Sequence, residues 1–505
     1  MVSKGLRVCM YVNAVVLAGL GLYYFVAPPV IVIRELRDPG LATGEIPRFT
    51  YGWHKTLTEK FGPWARARVA SGRATRQDHV NVTTTEWPVF SAVFYLWATE
   101  SLQEAWEKDR SLAAVAPKVC ARETIEAAAA LIADPNHAKW VRDYWGDGYL
   151  TRENLFYRML LISGLTSYEK LTGDARYREL LSSQVESLSN EMDASAHGLL
   201  DDYPGECYPV DVLSAVAAIR RADAVLGTDR SAFVARAVRA FEGKALDAET
   251  GLPSYRANSR SGRGMGPARG VGISFMLVWS PELWPDTAAQ WYAAYERRFW
   301  EQRPMLAGFR EFSREARESA WQMEVDAGPV IGGFGTAASA FGVAAARVHG
   351  RPDHAYALSA EALAASWPLP DGSMLGPRML SSASDAPYVG ETGMLFSLTR
   401  TALADSRAEK AGRTPWVVWI GVAVCVGFGL WCVMCGLVLV RRWRKARAAT
   451  ETLSSRQVGA WLVLAVAGVA LTVYSNTPLG APLVLLAPFL VRVRTRVAEG
   501  SARER

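Results

Sequence analysis

The chain has 505 residues and a net charge of +6, and half of its residues are hydrophobic. That length exceeds one ordinary soluble domain, and the apolar residues are unevenly spread, which predicts membrane segments. Two basic clusters, at 441–447 and 492–505, hold ten Lys and Arg residues against Glu499 and Glu504, so the rest of the chain is slightly acidic. The charge therefore reflects membrane topology and excludes a nucleic-acid-binding protein.

Three apolar stretches are candidates for membrane spans. Residues 8–33 and 415–440 carry no charge and exceed the length of about 20 residues that crosses a bilayer. A cleaved signal peptide is the alternative for the first, but its apolar core is longer than the usual 7–15 or so residues and no cleavage site is evident. Residues 458–491 are interrupted at 475–478 by Ser-Asn-Thr-Pro, which predicts a hairpin of two short spans.

Lys and Arg concentrate on the cytoplasmic side of membrane proteins, which fixes a predicted topology. Lys4 and Arg7 precede the first span, and the two basic clusters follow later spans. We therefore expect a multi-pass protein of the cell (inner) membrane, with the bilayer as a partner and its main domain on the extracytoplasmic side. The predicted segments are an N-terminal anchor (1–34), the extracytoplasmic domain (35–413), a transmembrane helix (414–440), a basic cytoplasmic loop (441–456), a membrane hairpin (457–493) and a basic tail (494–505).

Cysteine usage limits the chemistry of the large domain. Only Cys120 and Cys207 lie in it, and they could form one disulfide or leave Cys207 as a free thiol. No cluster of Cys and His with zinc-ligand spacing occurs outside the predicted spans. The sequence therefore indicates neither a metal nor an organic cofactor, and the oligomeric state stays open.

Apolar residues at helical spacing dominate the large domain, and strand signals are scarce. Helices that are apolar on all sides alternate with amphipathic ones, so buried and solvent-facing helices are expected to alternate. The predicted helices are 47–70, 86–107, 120–131, 153–172, 175–193, 210–226, 230–245, 268–281, 285–301, 327–348, 352–366 and 388–404. A repeat of about 50–60 residues, with six buried helices, predicts an all-α domain of six helical hairpins closed into an (α/α)6 barrel, with an open helical solenoid as the alternative.

The long loops before the buried helices hold most of the unusual polar residues. In a closed ring these loops converge on one face, where carboxyl groups among aromatic rings suit general acid–base catalysis. The residues predicted to act in catalysis are Cys207, Glu206, Asp202, Tyr208, Tyr157, Glu324 and Asp326. The residues predicted to bind substrate are Glu86, Trp87, Tyr144, Trp145, Asn154, Tyr203, Arg256, Tyr388 and Glu391.

The alternative for any single acid is helix capping, because carboxylates favour helix N-termini. Residues 201–209 go against that alternative, since three acids, a cysteine and two tyrosines lie in nine residues with two prolines. The loop with Tyr255, Arg256 and Arg269 is rich in arginine. It could bind an anionic group or be a solvated segment.

Two stretches resemble the linalool dehydratase/isomerase family. They are Asn154-Leu-Phe-Tyr157 continuing into 168–177 (Tyr-Glu-Lys-Leu-Thr-Gly-Asp-Ala-Arg-Tyr), and Cys207-Tyr208-Pro209. The resemblance implies an (α/α)6 barrel outside the cytoplasm and acid–base addition or removal of water at a small isoprenoid alcohol. It further implies that Cys, Tyr, Asp and His side chains act in a hydrophobic cleft. Leu160 stands where the family has a His, and a second cleft cysteine is missing.

Three functions remain open from the sequence. The first is a lyase/isomerase of the dehydratase kind, with Cys207, Tyr208 and Asp202 or Glu206 handling protons on an apolar substrate. The second is a glycoside hydrolase or polysaccharide lyase acting on envelope glycan through paired carboxylates. The third is a non-catalytic envelope protein. A narrow apolar cleft would favour the lyase/isomerase, and an open groove with rows of exposed Trp side chains would favour the glycan-active enzyme. A cleft filled by side chains would favour the non-catalytic protein.

Overall fold

The structure is a computed structural model, and it describes residues 2–76, 82–318, 320–382, 384–403, 412–446, 459–460, 463–464, 466–468 and 470–471. The chain forms two compact units. The helical unit contains the described residues of Glu35–Ser366 and Gly372–Val418. The apolar unit contains those of Met1–Arg34, Trp367–Asp371 and Trp419–Arg505. Apart from the short pieces between 459 and 471, the predicted membrane hairpin and basic tail lie outside the described residues.

The described chain is predominantly helical, which confirms the sequence prediction. Predicted helices 47–70, 153–172, 210–226 and 352–366 agree with α4, α9, α11 and α16 to within two residues at each end. The α-helices are α1 (Val2–Gly21), α2 (Ala27–Glu35), α3 (Pro39–Thr43), α4 (Phe49–Ala70), α5 (Val82–Lys108), α6 (Pro117–Cys120), α7 (Arg122–Ala133), α8 (Lys139–Trp145), α9 (Leu155–Thr172), α10 (Arg178–Ala194), α11 (Pro209–Leu226), α12 (Ser231–Ala237), α13 (Gly270–Leu283), α14 (Pro285–Phe299), α15 (Thr336–Val348), α16 (Pro352–Ser366), α17 (Leu375–Ser381), α18 (Val389–Thr399) and α19 (Trp416–Ala446).

Six helices of the helical unit contact one another in cyclic order: α5, α9, α11, α13, α15, α18 and back to α5. We call these the ring helices. They are the helices that the sequence predicts to be apolar on all sides, and most of their side chains are buried. The outer helices are α4, α7, α10, α12, α14 and α16, and each contacts at least one ring helix. Buried and solvent-facing helices therefore alternate along the chain, as expected.

The ring helices run parallel, with their first turns at one end of the ring and their last turns at the other. At the N-terminal end of the ring, the backbone N–H of Phe156 (α9) donates to Asp202, just before α11. At the C-terminal end, Glu100 (α5) accepts hydrogen bonds from Lys170 (α9) and Arg221 (α11). The long loops between outer and ring helices consequently meet at the N-terminal end.

Short strands also occur in these loops, which the sequence did not predict. The strands are β1 (Arg256–Asn258), β2 (Arg263–Met265), β3 (Trp300–Gln302), β4 (Ala307–Phe309), β5 (Trp321–Glu324), β6 (Gly328–Ile331) and β7 (Phe334–Gly335). β1 pairs with β2, β3 with β4, and β5, β6 and β7 form an antiparallel three-stranded sheet. Most pairings are between adjacent strands, so these loops fold locally on the helical frame.

The prediction of a helix at 327–348 is wrong in its first third, since α15 begins only at Thr336. Gly332 and Gly333 have φ of +61° and +90° and form the turn between β6 and β7. Glycine adopts such angles without strain, and neither angle is compatible with an α-helix. The helix therefore cannot extend through these two residues. A Cβ on Gly333 would lie 2.6 Å from an Arg310 nitrogen. The turn therefore packs closely against Arg310, and glycine leaves the space for that contact.

Two helical stretches, which lie in the apolar unit except for Glu35 and the first three residues of the second, are long and apolar enough to cross a membrane: Tyr11–Glu35 and Trp416–Arg441. Small residues pack closely where α1 meets α19: a Cβ on Gly21 would lie 2.6 Å from the Cβ of Cys432. Small residues at such crossings are typical of packed membrane helices. Trp367 belongs to the same unit, because its Nε1 donates to the Tyr24 carbonyl at 2.6 Å and its ring lies 5.6 Å from that of Phe25.

Candidate functional site

Three carboxyl groups from separate segments form an acid cluster at the N-terminal end of the ring. Glu86 lies in the first turns of α5, Asp211 in the first turn of α11, and Asp326 in the turn between β5 and β6. Burial, followed by the charges of Asp211 and Asp326, raises the pKa of Glu86 well above its ordinary value. Burial and the charge of Asp326 raise the pKa of Asp211 to about 8. At neutral pH Asp211 therefore holds its proton, and Glu86 keeps its proton to higher pH than an exposed glutamate does.

Tyrosine hydroxyls contact the acid cluster on two sides. Tyr203, in the loop before α11, donates its hydroxyl hydrogen bond to Oε1 of Glu86. Tyr255 donates to Oδ2 of Asp326 at 2.5 Å. Burial, and then the charge of Asp326, raises the pKa of Tyr255, so the hydroxyl stays protonated and available as a donor. The cluster thus combines protonated acids with neutral hydroxyl donors.

Arg269 holds the segment that carries Asp326. Its guanidinium bonds Glu311 at 2.8 Å and also pairs with Glu324, and it lies 4.3 Å from the centroid of the Tyr255 ring. Glu311 has no exposed surface, and burial raises its pKa to about 7 although Arg269 opposes the rise. Glu324, predicted to be catalytic, is therefore half of an ion pair that fastens the β5–β6 hairpin.

Asp202 is buried, and backbone donors occupy both of its carboxylate oxygens. The N–H of Phe156 reaches Oδ1 at 2.9 Å and the N–H of Tyr208 reaches Oδ2 at 3.0 Å. Burial, then the charge of Asp211, raises the pKa of Asp202, and the two N–H groups oppose that rise. Asp202 therefore joins the starts of α9 and α11, the capping role weighed as the alternative for these acids.

Cys207 has no exposed surface and, like the exposed Cys120, is a free thiol. Its carbonyl accepts a hydrogen bond from the N–H of Ala257 at 2.9 Å, which joins the loop at 201–209 to β1. Burial, followed by the charge of Asp202, raises the pKa of the Cys207 thiol. A neutral buried thiol is a weak nucleophile, so this arrangement does not activate Cys207 for covalent catalysis.

Glu206, Tyr208 and Arg256 form a connected group at the outer side of the loop. The Tyr208 hydroxyl donates to Glu206 at 2.8 Å, and Arg256 pairs with Glu206 at 3.1 Å. The Tyr208 ring lies edge-on to that of Tyr255, 5.6 Å between centroids. Through Tyr255 this group adjoins the acid cluster. Arg256 is thus neutralised by a carboxylate, which weakens the prediction that the Arg-rich loop binds an anion.

Five phenylalanine rings, which we call the phenylalanine floor, meet inside the ring of helices. The Phe90 centroid lies 4.1 Å from that of Phe94 and 5.8 Å from that of Phe156. Phe275 lies 4.9 Å from Phe341 and 6.0 Å from Phe90. Phe90, Phe156 and Phe341 are only half-buried, although they lie on ring helices. Each of these three rings therefore keeps part of its surface exposed in the described part of the chain.

The phenylalanine floor adjoins the acid cluster at several points. Glu86 and Phe90 are four residues apart on α5 and so lie on one face of that helix. Phe341 and Tyr255 pack in the same apolar cluster, with Val271. Protonated carboxyl groups consequently stand next to partly open apolar surface, where charge is poorly solvated and neutral ligands are preferred.

The segment between α7 and α9 contributes side chains that hold the loop at 201–209 in place. Trp145 donates its Nε1 hydrogen bond to the carbonyl of Asp202 at 3.1 Å, and the exposed ring of Tyr144 lies edge-on to Tyr203 at 5.2 Å. Asn154 has φ of +53°, and its Nδ2 donates to a backbone carbonyl at 3.0 Å. Tyr157 is buried, and burial raises its pKa. These residues position the loops and lie next to the acid cluster.

Glu391 and Tyr388 form a separate group at the start of α18. Glu391 is buried and accepts a hydrogen bond from Arg378 at 2.5 Å. The Arg378 guanidinium lies 4.2 Å from the centroid of the Tyr388 ring. Burial raises the pKa of Glu391, and the positive charge of Arg378 opposes that rise. Trp87 is half-buried on α5.

Some of these residues were not selected from the sequence. Asp211, Tyr255 and Arg269 stood in the predicted loops but were not chosen, because loop position does not reveal which acid lacks a cationic partner. Glu311 and the phenylalanine floor carried no recognisable signal, since their neighbours come from other helices. The spacing of Phe90 and Phe94, four residues apart, was the one sequence feature that placed two of these rings on the same helix face.

No group of three or more His, Cys, Asp and Glu side chains suited to a metal ion occurs among the described residues. A cavity of about 750 Å³ opens beside β1 and β2, and its lining includes Lys244, Asp247 and Arg263 but no predicted site residue. No protein-family model and no curated protein sequence matches the chain.

Proposed function

We propose that the protein is a membrane-anchored lyase/isomerase that removes or adds water at a small apolar alcohol by acid–base chemistry. One observation carries the proposal: protonated carboxyl groups, Glu86 and Asp211, adjoin the half-open phenylalanine floor. A protonated acid at neutral pH can donate to a hydroxyl group. An apolar floor selects a neutral hydrocarbon body and leaves polar recognition to the few groups around it.

The proposed reaction needs one acid and one base. Asp211 or Glu86 gives a proton to the substrate hydroxyl, the C–O bond breaks, and water leaves with the electron pair of that bond. The carboxylate of Asp326 takes a proton from the adjacent carbon, and the C–H electron pair becomes the new double bond. Hydration is the reverse, and migration of the hydroxyl combines both directions. No electron is gained or lost overall, and no cofactor is required.

The resemblance to the linalool dehydratase/isomerase family is consistent with this reaction and with an isoprenoid alcohol as substrate. The proton-transfer roles differ from those first expected. Cys207, with no exposed surface, and Asp202, with both oxygens bonded, are support residues in this proposal. Leu160 stands where the family has a His, so the carboxyl groups take over the general-acid role.

The proposed architecture is an (α/α)6 barrel held in a membrane. The cyclic contacts of the ring helices and their alternation with outer helices support the barrel over an open solenoid, in which the first and last ring helices would not meet. The two long apolar helices, with Arg441, Arg442 and Arg444 after the second, support a barrel domain on the extracytoplasmic side.

The test uses the full chain in detergent or nanodiscs, incubated with primary and tertiary isoprenoid alcohols in H₂¹⁸O. We expect alkene products and ¹⁸O-labelled alcohols by gas chromatography–mass spectrometry, and their loss in Glu86→Gln. A parallel panel of envelope glycans tests the alternative hydrolase or lyase, for which the exposed Tyr144 ring would be a sugar platform. Glycan cleavage without alcohol turnover overturns the proposal, and no turnover of either panel favours the non-catalytic alternative.

A further inference from the structure

Exposed large apolar side chains are unevenly distributed over the helical unit. Among its described residues, excluding the start of α19, twelve such side chains occur. Three lie at the C-terminal end of the ring: Val115, Val119 and Leu403. Nine lie in the loops at the N-terminal end: Tyr144, Met265, Met305, Trp321, Met323, Val325, Ile331, Met379 and Leu380. The face that carries the acid cluster is therefore also the apolar face.

The β5–β6 hairpin shows this most clearly. Met323 and Val325 are 77% and 54% exposed, and Ile331 is 47% exposed. Trp321 and Met323 are two residues apart on β5, so both point to the same side of the strand, and both are exposed, whereas Val325 lies in the turn that follows. The other side carries Glu324, which pairs with Arg269. One hairpin thus presents apolar side chains outward while its inner side and its turn, with Asp326, belong to the acid cluster.

The first residues of α19 belong to the helical unit and are bonded to one of these segments. The N–H groups of Trp416 and Val417 donate to the carbonyls of Pro304 and Met305 at 3.1 and 2.9 Å. Pro304 and Met305 lie in the β3–β4 turn, in the segment between α14 and α15. The chain therefore enters its long apolar helix directly from a segment that carries an exposed apolar side chain, Met305.

We propose that the apolar rim at the N-terminal end of the ring, led by Met323, Val325, Ile331 and Leu380, is a membrane-docking surface that inserts into the lipid interface. Such a surface buries side chains that would otherwise face water. It opens the acid cluster toward the bilayer, so that an apolar alcohol dissolved in lipid reaches the phenylalanine floor without crossing water. This route for the substrate rests on the proposed function, whereas the docking itself does not.

The test uses full-length protein in vesicles of phosphatidylethanolamine and phosphatidylglycerol. Met323, Leu380 and Val119 are replaced, in separate variants, by the photoreactive residue benzoylphenylalanine. Val119 is the matched control, because it is a largely exposed aliphatic position at the opposite end of the ring, 63% exposed against 77% for Met323 and 82% for Leu380. After irradiation, lipid adducts are measured by mass spectrometry and protein adducts by gel electrophoresis.

We expect lipid adducts at positions 323 and 380 several-fold above those at 119. Equal adduct yields at the three positions, or none at 323, overturn the proposal. A cross-linked dimer at 323 without lipid adducts also overturns it and indicates a second copy of the chain as the occupant. The readout requires no turnover, so lipid adducts together with an inactive enzyme would refute the proposed reaction and leave the docking surface intact.

Discussion

Two glutamates on the same helix, Glu86 and Glu100 of α5, show how the two ends of the ring differ. They are fourteen residues apart, or about 21 Å along the helix axis. Burial by itself would raise the pKa of both carboxyl groups. At Glu100 the charges of Arg221 and Lys170 overcome that effect and lower the pKa to about 2. At Glu86 the nearby charges, from Asp211 and Asp326, are negative and raise the pKa further.

The difference teaches that burial alone does not identify a functional acid. Glu100 accepts hydrogen bonds at 2.6 to 2.7 Å from Lys170, Arg221 and Ser167, so three ring helices are tied together through one carboxylate. Glu86 has a neutral tyrosine hydroxyl and two further acids for neighbours. The C-terminal end is arranged for stability, and the N-terminal end keeps protons that can be transferred.

The largest expected effect is on catalysis. Glu86→Gln keeps the shape of a protonated carboxyl group but cannot donate its proton, so we expect turnover of the alcohol substrate to fall by about 10²–10⁴-fold. The melting temperature should stay close to that of the wild type, because no charge or volume is lost. Retained turnover with unchanged melting would remove Glu86 from the proposed mechanism.

The matched change at the other end should affect stability and not chemistry. Arg221→Met leaves Glu100 buried with Lys170 as its remaining cation, which we expect to destabilise the fold by about 3 kcal/mol, as breaking a buried ion pair usually does. Thermal unfolding in detergent measures it. If the variant melted like the wild type and instead lost turnover per folded molecule, the division of roles between the two ends would be wrong.

The two ends should also respond to opposite limits of pH. The folded pKa of Asp211 is raised from 3.8 to about 8, so its contribution to stability is complete below pH 3.8 and is lost as pH rises through about 8. The folded pKa of Glu100 is lowered from 4.5 to about 2, so its contribution is present above pH 4.5 and is lost as pH falls through about 2.

Accordingly, Asp211→Asn should flatten the alkaline side of the stability profile and leave the acid side unchanged. In the wild type, turnover that uses the Asp211 proton should decline above about pH 8. Melting temperatures and initial rates across pH measure both effects. An alkaline limb that is the same in Asp211→Asn and wild type would show that another group titrates there.

The smallest expected effect concerns the hairpin sheet that carries Asp326. Gly333→Ala forces a residue with a side chain into φ of +90° and against Arg310. We expect a loss of about 1–3 kcal/mol, typical of backbone strain, together with reduced turnover. Gly332→Ala is the control, because its φ of +61° is also strained but its added Cβ meets no atom within 4 Å. Equal effects of the two substitutions would argue against the contact with Arg310.

The sequence predicts the helices well because apolar periodicity and turn residues are local signals, as at α9, which ends at Thr172 as predicted, with Gly173 as its left-handed C-cap. It also predicts that loops with Glu86, Tyr203 and Asp326 converge. It could not separate Asp202, capped by two backbone N–H groups, from Asp211, whose carboxyl group accepts no such bond among the described residues. That distinction depends on partners from other helices, and so do the phenylalanine floor and the pairing of Glu324 with Arg269.

One loop in the middle of the chain constrains how the protein can be dissected. Trp367 lies between α16 and α17 in sequence, yet its indole is held by Tyr24 and Phe25 of the N-terminal span. A truncated protein that starts at residue 35 and stops at 413 would expose this indole and leave its N–H without the carbonyl. Purification of residues 35–413 as a soluble fragment should therefore need Trp367 replaced by a polar residue, or the N-terminal helix retained.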